Sequence, residues 1–228
     1  MALLVRTWNL FHGNARPPTR RSYLREMLAL AAADGPDVLC LQEIPVWALP
    51  RLAAWSGMQA FPAVARSGLR PAALAGWLTR RDNGLLRSAV AGQANAVLVA
   101  AGHAAADLGA GQVSEPGYER RVAQAVLVDG TTVVNTHLSS AGSGQQAELT
   151  RVLALAEARA PAGSPVVLAG DLNMVAPALE GFSPPGPGID HVLVRGAPAA
   201  PLVVWPEERR RQNGVVLSDH PLVECRVG

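Results

Sequence analysis

The chain has 228 residues, a formal net charge of +2, 49% hydrophobic residues and a mean hydropathy of +0.16. This length and apolar content suit one domain with a substantial core and argue against intrinsic disorder. No apolar run reaches the ~18–20 residues that a membrane-spanning helix needs. The first strand-like run begins at Leu3, which leaves no room for a removable leader. We therefore expect a cytoplasmic protein with a single domain over residues 1–228 and no stable protein partner.

The basic residues and the cysteines indicate little about partners. All 20 basic residues are arginines. Arginine pairs bidentately with phosphate, but abundant Arg together with Ala, Gly and Pro is also typical of a GC-rich genome, and the small net charge favours this second interpretation. The arginines therefore do not indicate nucleic-acid binding. Cys40 and Cys225 lie in apolar strand-like runs, so we expect buried free thiols.

Apolar periodicity predicts strands and helices along the whole chain. In chain order the predicted elements are a strand at 3–8, a helix at 20–33 capped by Thr19, a strand at 37–41, a weaker helix at 46–55, strands at 95–100, 122–128 and 132–136, a helix at 144–160, and strands at 166–169, 189–194, 202–205 and 222–227. Asp129-Gly130 is a strong hairpin signal. This pattern favours two mixed sheets packed face to face, with helices covering them outside.

Residues 67–93 form the segment whose structure the sequence specifies least. Its apolar residues make a helical stripe from Leu69 to Leu78, and arginines flank the stripe. A basic amphipathic helix of this kind can contact a membrane surface or a lipid-like substrate, but a surface helix that buries one face has the same pattern. We favour the surface helix and expect substrate specificity to depend on this segment.

Short polar signatures follow or interrupt the strand-like runs. They are Trp8-Asn9, Gln42-Glu43, Thr136-His137, Gly170-Asp171-Leu172-Asn173 and Ser218-Asp219-His220. Carboxylates, imidazoles and amides at strand ends supply the ligands and proton carriers that metal-assisted phosphoryl chemistry needs. Because hard cations such as Mg²⁺ prefer oxygen ligands, Glu43 is the leading candidate ligand.

The second half of the chain carries the groups suited to proton transfer. Asp171 and Asn173 are separated by one residue, so their side chains point to the same side of an extended segment, although an Asx turn would also explain the pair. Asp219 stands beside His220, an imidazole that can hold a proton near neutral pH. Asp190 is a second acid that could orient that ring.

The order of these signatures resembles the endonuclease/exonuclease/phosphatase superfamily, which includes deoxyribonuclease I, abasic-site endonucleases, neutral sphingomyelinases and inositol polyphosphate phosphatases. The match runs from Trp8 to His220. It implies a deoxyribonuclease I-like α/β (α+β) fold, a four-layer sandwich of two packed mixed β-sheets flanked by helices. It also implies hydrolysis of a phosphoester bond with Mg²⁺, or Mn²⁺ as the alternative ion.

The resemblance implies roles for the residues around the metal. Glu43 would bind the ion, and Asn9 and Asp219 would contribute directly or through water. Asp171 would position or deprotonate the attacking water.

The resemblance also implies roles for the residues around the phosphate. Asn173 would donate a hydrogen bond to the transition state, and His137 would hold a phosphate oxygen. His220, oriented by Asp190, would act on the phosphate or serve as the general base.

Two further positions resemble substrate-binding residues of the superfamily. They are Asn95 and one of the neighbouring pair Arg120 and Arg121, of which we take Arg121 as the candidate. The sequence departs from many relatives at His191, where an aromatic residue such as Tyr usually follows the Asp. We assign no role to the remaining histidines and expect them to be solvated or structural: His12, His103 and His191.

Three functions are compatible with these residues. The first, which we favour, is a metal-dependent phosphodiesterase with water as the nucleophile, acting on a small phosphodiester or a phospholipid; a phosphatase that hydrolyses a monoester is an alternative within it. The second is a nuclease acting on DNA or RNA, which the charge of +2 supports only weakly. The third is a non-enzymatic binding module on the same scaffold, and the intact set of polar residues argues against it.

Overall fold

A computed structural model describes residues 2–68, 71–83, 90–140 and 144–228. The helices are α1 (Leu24–Ala32), α2 (Leu52–Ser56), α3 (Ala72–Arg81) and α4 (Gln145–Arg159), with 3-10 helices at Phe11–Gly13, Val46–Arg51 and Glu207–Arg210. The strands are β1 (Leu3–Asn9), β2 (Ala15–Arg16), β3 (Val38–Ile44), β4 (Gln59–Arg66), β5 (Gln93–Val99), β6 (Ala105–Gln112), β7 (Val122–Val128), β8 (Thr131–His137), β9 (Val166–Asp171), β10 (Asp190–Arg195), β11 (Val203–Val204), β12 (Arg211–Gln212), β13 (Val215–Leu217) and β14 (Val223–Val227).

The strands that the structure describes form two large mixed sheets and one small sheet. The first sheet has six strands in the order β11-β14-β1-β3-β5-β4, and the second has five in the order β10-β9-β8-β7-β6. One pair in each sheet is parallel, β1 with β3 and β8 with β9, and the other pairs are antiparallel. A three-stranded sheet, β12-β13-β2, lies beside them.

Apolar clusters between the layers hold the two large sheets and the helices together. The cluster between the sheets joins residues of both, including Val5, Cys40, Val97, Val133 and Val167. A second cluster packs α1 and the 46–51 helix against the first sheet, and a third packs α4 against the second sheet. Burial of these side chains is the main favourable term in folding. The predicted four-layer sandwich of two mixed sheets flanked by helices is therefore confirmed.

The predicted hairpin is confirmed at Asp129-Gly130. The two residues have φ values of +46° and +82°, and they connect β7 to its antiparallel partner β8. Positive φ at both central positions is the backbone that a two-residue turn between twisted strands requires. The sequence pattern missed β4 and β6, which lie at the edges of their sheets and carry little apolar alternation.

The predicted helix start at Thr19 is wrong. The Thr19 hydroxyl accepts a hydrogen bond from the backbone N–H of Arg21 at 3.2 Å, so it closes a local turn instead of capping a helix. Helix α1 begins only at Leu24, after Tyr23. The apolar residues that define the helix, including Met27 and Leu28, are fully buried as expected.

Helix α3 confirms the surface helix predicted within residues 67–93. However, two large residues of its predicted apolar stripe are exposed and not buried. Leu74 is 43% exposed and Trp77 is 52% exposed, whereas Ala75 and Thr79 are buried. The stripe's first residue, Leu69, lies outside the described residues. Within the described chain, no helix combines the length and apolar character required to cross a membrane.

The two predicted free thiols are confirmed. Cys40 and Cys225 are both buried and unpaired by any disulfide among the described residues. Burial raises the pKa of both thiols, because the charged thiolate loses its hydration. These cysteines pack as small apolar residues.

Buried polar side chains join the two large sheets near the carboxyl ends of β1, β3 and β8. Gln42 donates from Nε2 to the Oδ1 of Asn135 at 2.7 Å and to the Thr7 hydroxyl at 2.9 Å. Asn135 in turn donates to the backbone carbonyls of Leu41 and Ala96. Buried polar groups are costly unless paired, so this network fixes how β3 of one sheet lies over β8 of the other. Gln42 therefore has a structural role.

The side chain of His103 lies between two carboxylates at the end of the sheets opposite this network, and we call this arrangement the clasp. Its Nδ1 lies 2.7 Å from the Oδ2 of Asp129, and its Nε2 lies 2.9 Å from the Oδ1 of Asp37. The hydrogen bond to Asp129 is the largest of the contacts that raise the pKa of His103. Asp37 also accepts the backbone N–H of Leu4, so the clasp connects the β7–β8 turn to β1.

Replacing His103 with Asn should destabilise the protein in a pH-dependent way. Because the pKa of His103 is raised in the folded state, its contribution is fully present below the unfolded value of about 6.5 and is lost as pH rises through the folded pKa. Urea unfolding should therefore give a larger stability difference between wild type and His103→Asn at about pH 6 than at about pH 9. An equal difference at both pH values would contradict the clasp.

Candidate functional site

The directions of the strands bring the polar signatures together at one end of the two sheets. β1 and β3 are parallel, so Asn9 and Gln42 are paired at their carboxyl ends. β8 and β9 are also parallel, and His137 pairs with Asp171 at theirs. β10 runs the other way, so its first residue, Asp190, pairs with Asp171 at the same end. The sheets therefore collect these side chains into one centre.

The side chain of Asn9 connects the two sheets within this centre. Its Nδ2 donates to the Oδ2 of Asp171 at 3.0 Å and lies 3.3 Å from the Oε1 of Glu43. Its Oδ1 accepts the backbone N–H of Phe11 at 2.9 Å, which fixes the orientation of the amide. Asn9 is 1% exposed. One amide thus holds a carboxylate of each sheet.

Glu43 carries the partly accessible carboxylate of the site. Burial raises its pKa, and the hydrogen bond from Asn9 opposes that shift. His12 lies close by, with its Nε2 3.4 Å from the Oε2 of Glu43. Glu43 has a φ of +52°, in the left-handed region that non-glycine residues seldom adopt. Such strain concentrates at functional sites, and positive φ recurs around this one at Phe11, His12, Asn173 and Ser218.

Gly170 allows Asp171 to reach the centre. Its φ is +145°, and a Cβ at this position would collide with the carbonyl oxygen of Thr136 on the neighbouring strand. Any larger residue would push β8 and β9 apart. The glycine therefore sets the distance between Asp171 and His137.

The carboxylate of Asp171 is buried and contacts several partners. It is 1% exposed, and its Oδ1 accepts the backbone N–H of Asn173 at 3.0 Å. The Nε2 of His137 lies 3.3 Å from its Oδ2. Burial, followed by the negative charge of Asp190, raises the pKa of Asp171 to about 6. An acid with this pKa can accept a proton near neutral pH.

His220 is a cation held by Asp190. Its Nδ1 lies 3.0 Å from the Oδ2 of Asp190, and its Nε2 lies 3.7 Å from the Oδ2 of Asp171. Burial lowers the pKa of His220, but the hydrogen bond and charge of Asp190, with the charges of Asp171 and Asp219, raise it to about 9. The imidazole is therefore protonated at neutral pH, and both its nitrogens are donors.

His137 is a neutral imidazole with a defined tautomer. Burial and then the positive charge of Arg121 hold its pKa well below the usual value. The Nη1 of Arg121 lies 3.1 Å from the Nδ1 of His137. Because a guanidinium only donates, this network assigns Nδ1 as the acceptor and Nε2 as the N–H that faces Asp171. Gln93 also belongs to this network, since its side-chain amide lies 3.2 Å from the same Nδ1.

The loop that carries Asp219 and His220 is fixed by three side chains. The Ser218 hydroxyl donates to the backbone carbonyl of Asn9 at 2.6 Å. Trp8 and Arg210 both donate to the carbonyl of His220, at 3.0 and 2.9 Å. Sequence analysis missed Arg210, because nothing in the run Arg209-Arg210-Arg211 distinguishes the buried residue from its exposed neighbours.

Three predicted site residues have contacts that are structural in the described protein. Asn95 is 2% exposed and donates to the carbonyl of Val122 in the other sheet at 3.2 Å. Asn173 donates from Nδ2 to the carbonyl of Leu138 at 2.9 Å. Arg121 is 7% exposed and contacts the Nδ1 of His137, whereas the Nε2 of that ring faces Asp171. Substrate contact by these residues stays a prediction.

Each of the three histidines without an assigned role makes a defined contact, which for His103 is the pair of carboxylates described above. His191 is fully buried, and its Nε2 donates to the carbonyl of Met174 at 2.9 Å. His12 is 5% exposed and lies against Glu43, so it belongs to the site although the sequence analysis left it out. Its position three residues after Asn9 was the available signal.

The donor set fits a hard divalent cation. Glu43 and Asp219 offer carboxylate oxygens, and the negative charge of Asp219 contributes to the raised pKa of Glu43. Asn9 turns its N–H toward Glu43 and its oxygen toward the N–H of Phe11, so in this orientation it would contribute to a cation site through water. A second grouping also exists, in which ligand atoms of Asp171, Asp190 and His220 lie within 4.8 Å of one another. A protonated imidazole has no free lone pair, so a cation there would have to displace the His220 proton. The oxygen set around Glu43 is the better match.

Replacing Glu43 with Gln should change thermal stability in opposite directions with and without Mg²⁺. Burial raises the pKa of Glu43 in the folded state, so ionising it above its unfolded pKa destabilises the fold. The variant should therefore melt at a slightly higher temperature than wild type in EDTA. Added Mg²⁺ should raise the Tm of wild type and not that of Glu43→Gln. The same Mg²⁺-induced shift in both proteins would exclude Glu43 as a ligand.

Comparisons with known proteins found one matching family model and several similar solved structures. The model of the endonuclease/exonuclease/phosphatase family matches residues 7–220. A solved endonuclease/exonuclease/phosphatase from Beutenbergia cavernae is 21% identical, with a TM-score of 0.67 over 99% of this chain and 71% of that one. A functionally unknown conserved protein from Enterococcus faecalis is 16% identical, with a TM-score of 0.72 over 99% of both chains.

A third similar structure is that of truncated Caenorhabditis elegans TDP2. It is 16% identical, with a TM-score of 0.64 over 100% of this chain and 97% of that one. No curated protein matches the sequence. At these identities the solved structures establish the shared fold.

Proposed function

The chain belongs to the endonuclease/exonuclease/phosphatase family, whose members hydrolyse phosphoesters, and we propose that it is a divalent-metal-dependent phosphodiesterase with water as the nucleophile. One observation carries the proposal. The Asn9 amide gathers the carboxylates of Glu43 and Asp171 into one centre, and the imidazoles of His137 and His220 both face Asp171. A cation site, a proton acceptor and two donors are the groups that phosphoryl transfer to water requires.

Glu43 would hold the divalent ion, with Asn9 and Asp219 contributing directly or through water. Mg²⁺ or Mn²⁺ bound there would neutralise charge on the phosphate oxygens. His12, 3.4 Å from Glu43, would keep that carboxylate oriented. The left-handed backbone of Glu43 supports this assignment, because strained conformations persist where a side chain must be aimed.

Asp171 would position the attacking water and accept its proton. Its pKa of about 6 suits a base that works near neutral pH. The Asn9 amide and the Asn173 backbone N–H hold its two oxygens, so the carboxylate is oriented before the substrate arrives. Preorganisation of this kind removes reorganisation from the reaction step.

His220 and His137 would donate hydrogen bonds to the phosphate. The pKa of about 9 makes His220 a cation, so we propose a donor and not the general base. His137 would donate from Nε2, since Arg121 occupies its Nδ1. Asn173 would use its remaining N–H in the same way. Together these donors would stabilise the charge that develops on the equatorial oxygens.

Three further predictions accompany the proposal. We propose that residues 1–228 fold as one domain, which the family match over residues 7–220 supports. We also retain the cytoplasm as the predicted location and a nuclease as the alternative activity.

Replacing Asp171 with Ala should remove the proposed activity. With bis(4-nitrophenyl) phosphate and Mg²⁺, kcat should fall by about 10²- to 10⁴-fold, the usual contribution of a positioned base. EDTA should abolish wild-type turnover. Asp34→Ala is the matched control, because Asp34 is an exposed aspartate paired with Arg209. Retention of metal-dependent turnover in Asp171→Ala would contradict the assignment.

Arg121 and His137 should act as one unit. Arg121→Met frees the Nδ1 of His137 and with it the tautomer, so kcat should fall on the order of tenfold. His137→Asn removes the donor directly. If Arg121 acts through His137, the double variant should be no slower than His137→Asn alone. Additive losses would show that Arg121 acts independently, for instance by contacting the substrate.

A further inference from the structure

A cavity of about 730 Å³ lies between α3 and the segment that follows β3. Val46 and Trp47 form one wall, Val64 of β4 contributes to it, and Ala72 and Ala75 of α3 form the other wall. The volume falls within the range of small-molecule sites, about 300–1,000 Å³. Its lining side chains are apolar apart from those of Ser67 and Trp47. An apolar group could therefore be buried here.

The cavity adjoins the candidate active site. Val46 follows Glu43 by three residues, and Ala91, which also lines the cavity, precedes Gln93 by two. Consecutive Cα atoms are about 3.8 Å apart, so these pairs are separated by at most about 11 Å and about 8 Å. Gln93 contacts the Nδ1 of His137 at 3.2 Å. A phosphate at the site could therefore extend one of its ester groups into the cavity.

Close backbone packing builds the floor of the cavity. Gly92 has a φ of +68°, and a Cβ there would lie 2.5 Å from the backbone nitrogen of Gly68 and 2.7 Å from the Cγ2 of Val46. Only glycine permits this approach. Glycine at position 92 therefore lets two lining residues, Gly68 and Val46, pack closely against the backbone that leads into β5.

The C-terminal end of α3 is attached to the active-site loop. Asn83, which is 2% exposed, donates from Nδ2 to the carbonyl of His12 and to the Oδ1 of Asn14, both at 3.1 Å. Its backbone N–H donates to the carbonyl of Arg20 at 3.0 Å. The helix that forms one wall is therefore held in a fixed position relative to His12 and Glu43.

We propose that the cavity binds an apolar ester group of the substrate, so that the enzyme selects phosphodiesters of an alkyl or aryl alcohol. This inference rests on the proposed phosphodiesterase activity. The small side chains of Ala72 and Ala75 leave the space open, and the apolar walls favour a group without hydrogen-bonding atoms. A nucleoside fits less well, because the polar edges of its base would lose water without gaining enough partners.

A series of phosphodiesters tests binding in the cavity. Each compound has 4-nitrophenol as the constant leaving group, and its second ester group is methyl, hexyl or phenyl. We expect kcat/KM to rise by at least about tenfold from the methyl to the hexyl ester, since each buried methylene contributes about two- to fourfold. The phenyl ester in the same series distinguishes an aryl from an alkyl source. No rise from methyl to hexyl in wild type would overturn the proposal.

Two variants of α3 assign the effect to the cavity. Ala72→Phe places a ring in the cavity mouth, whereas Ala73→Phe adds the same ring at an exposed neighbouring position that does not line the cavity. Within Ala72→Phe, the ratio of kcat/KM for the hexyl ester to that for the methyl ester should fall to about one. Ala73→Phe should keep the preference. An unchanged preference in Ala72→Phe would overturn the proposal.

A binding measurement separates this inference from the proposed activity. If Asp171→Ala hydrolyses the methyl ester as fast as wild type, or if no ester is hydrolysed, the proposed function fails. Calorimetry with hexyl phosphate then tests the cavity alone. Saturable binding to wild type that is at least about tenfold weaker in Ala72→Phe supports the cavity site. Absence of binding, or equal binding to both proteins, overturns it.

Discussion

The side-chain amide of Asn9 is the interaction on which the rest of the site depends. It donates to Asp171 on one sheet and lies within hydrogen-bond distance of Glu43 on the other. Two carboxylates this close repel one another, and burial adds the loss of their hydration. The raised pKa of each reflects mainly that loss of hydration, to which the charge of Asp190 adds for Asp171 and the charge of Asp219 adds for Glu43. A fold that tolerates two such buried carboxylates gains a place where a cation binds favourably, because the cation offsets negative charge that burial has deprived of hydration.

The layers beneath the site supply the rigidity that this pair needs. Apolar side chains of both sheets interlock between them, and the Gln42–Asn135 network joins the sheets just below the carboxylates. Gly170 lets β9 approach β8 closely enough to bring Asp171 against His137. Around this centre the protonation states diverge: His220 is charged beside Asp190, and His137 is neutral beside Arg121. Two imidazoles thus acquire different chemistry from their neighbours alone.

The sequence predicted the centre better than its surroundings. Strands buried on both faces are continuous apolar runs, and the polar residue that ends each run is conspicuous, so Asn9, Glu43 and Asp171 could be found. Edge strands such as β4 and β6 carry no comparable pattern. Arg210 and Gln93 act through contacts with residues distant in the chain or on a neighbouring strand, which no local pattern encodes. Helical periodicity alone favoured burial of Leu74 and Trp77, whereas α3 buries Ala75 and Thr79 instead.

The most direct test of this account is the position of the metal. Crystals of wild-type protein grown with Mn²⁺ would reveal the ion by its anomalous scattering, and a structure of the Glu43→Gln variant under the same conditions would serve as the comparison. We predict one strong peak within bonding distance of a Glu43 carboxylate oxygen, about 2.0–2.2 Å as for other hard divalent ions, and its loss in the variant. A peak held instead by Asp171, Asp190 and His220, and unchanged in Glu43→Gln, would contradict the assignment of Glu43 as the metal ligand.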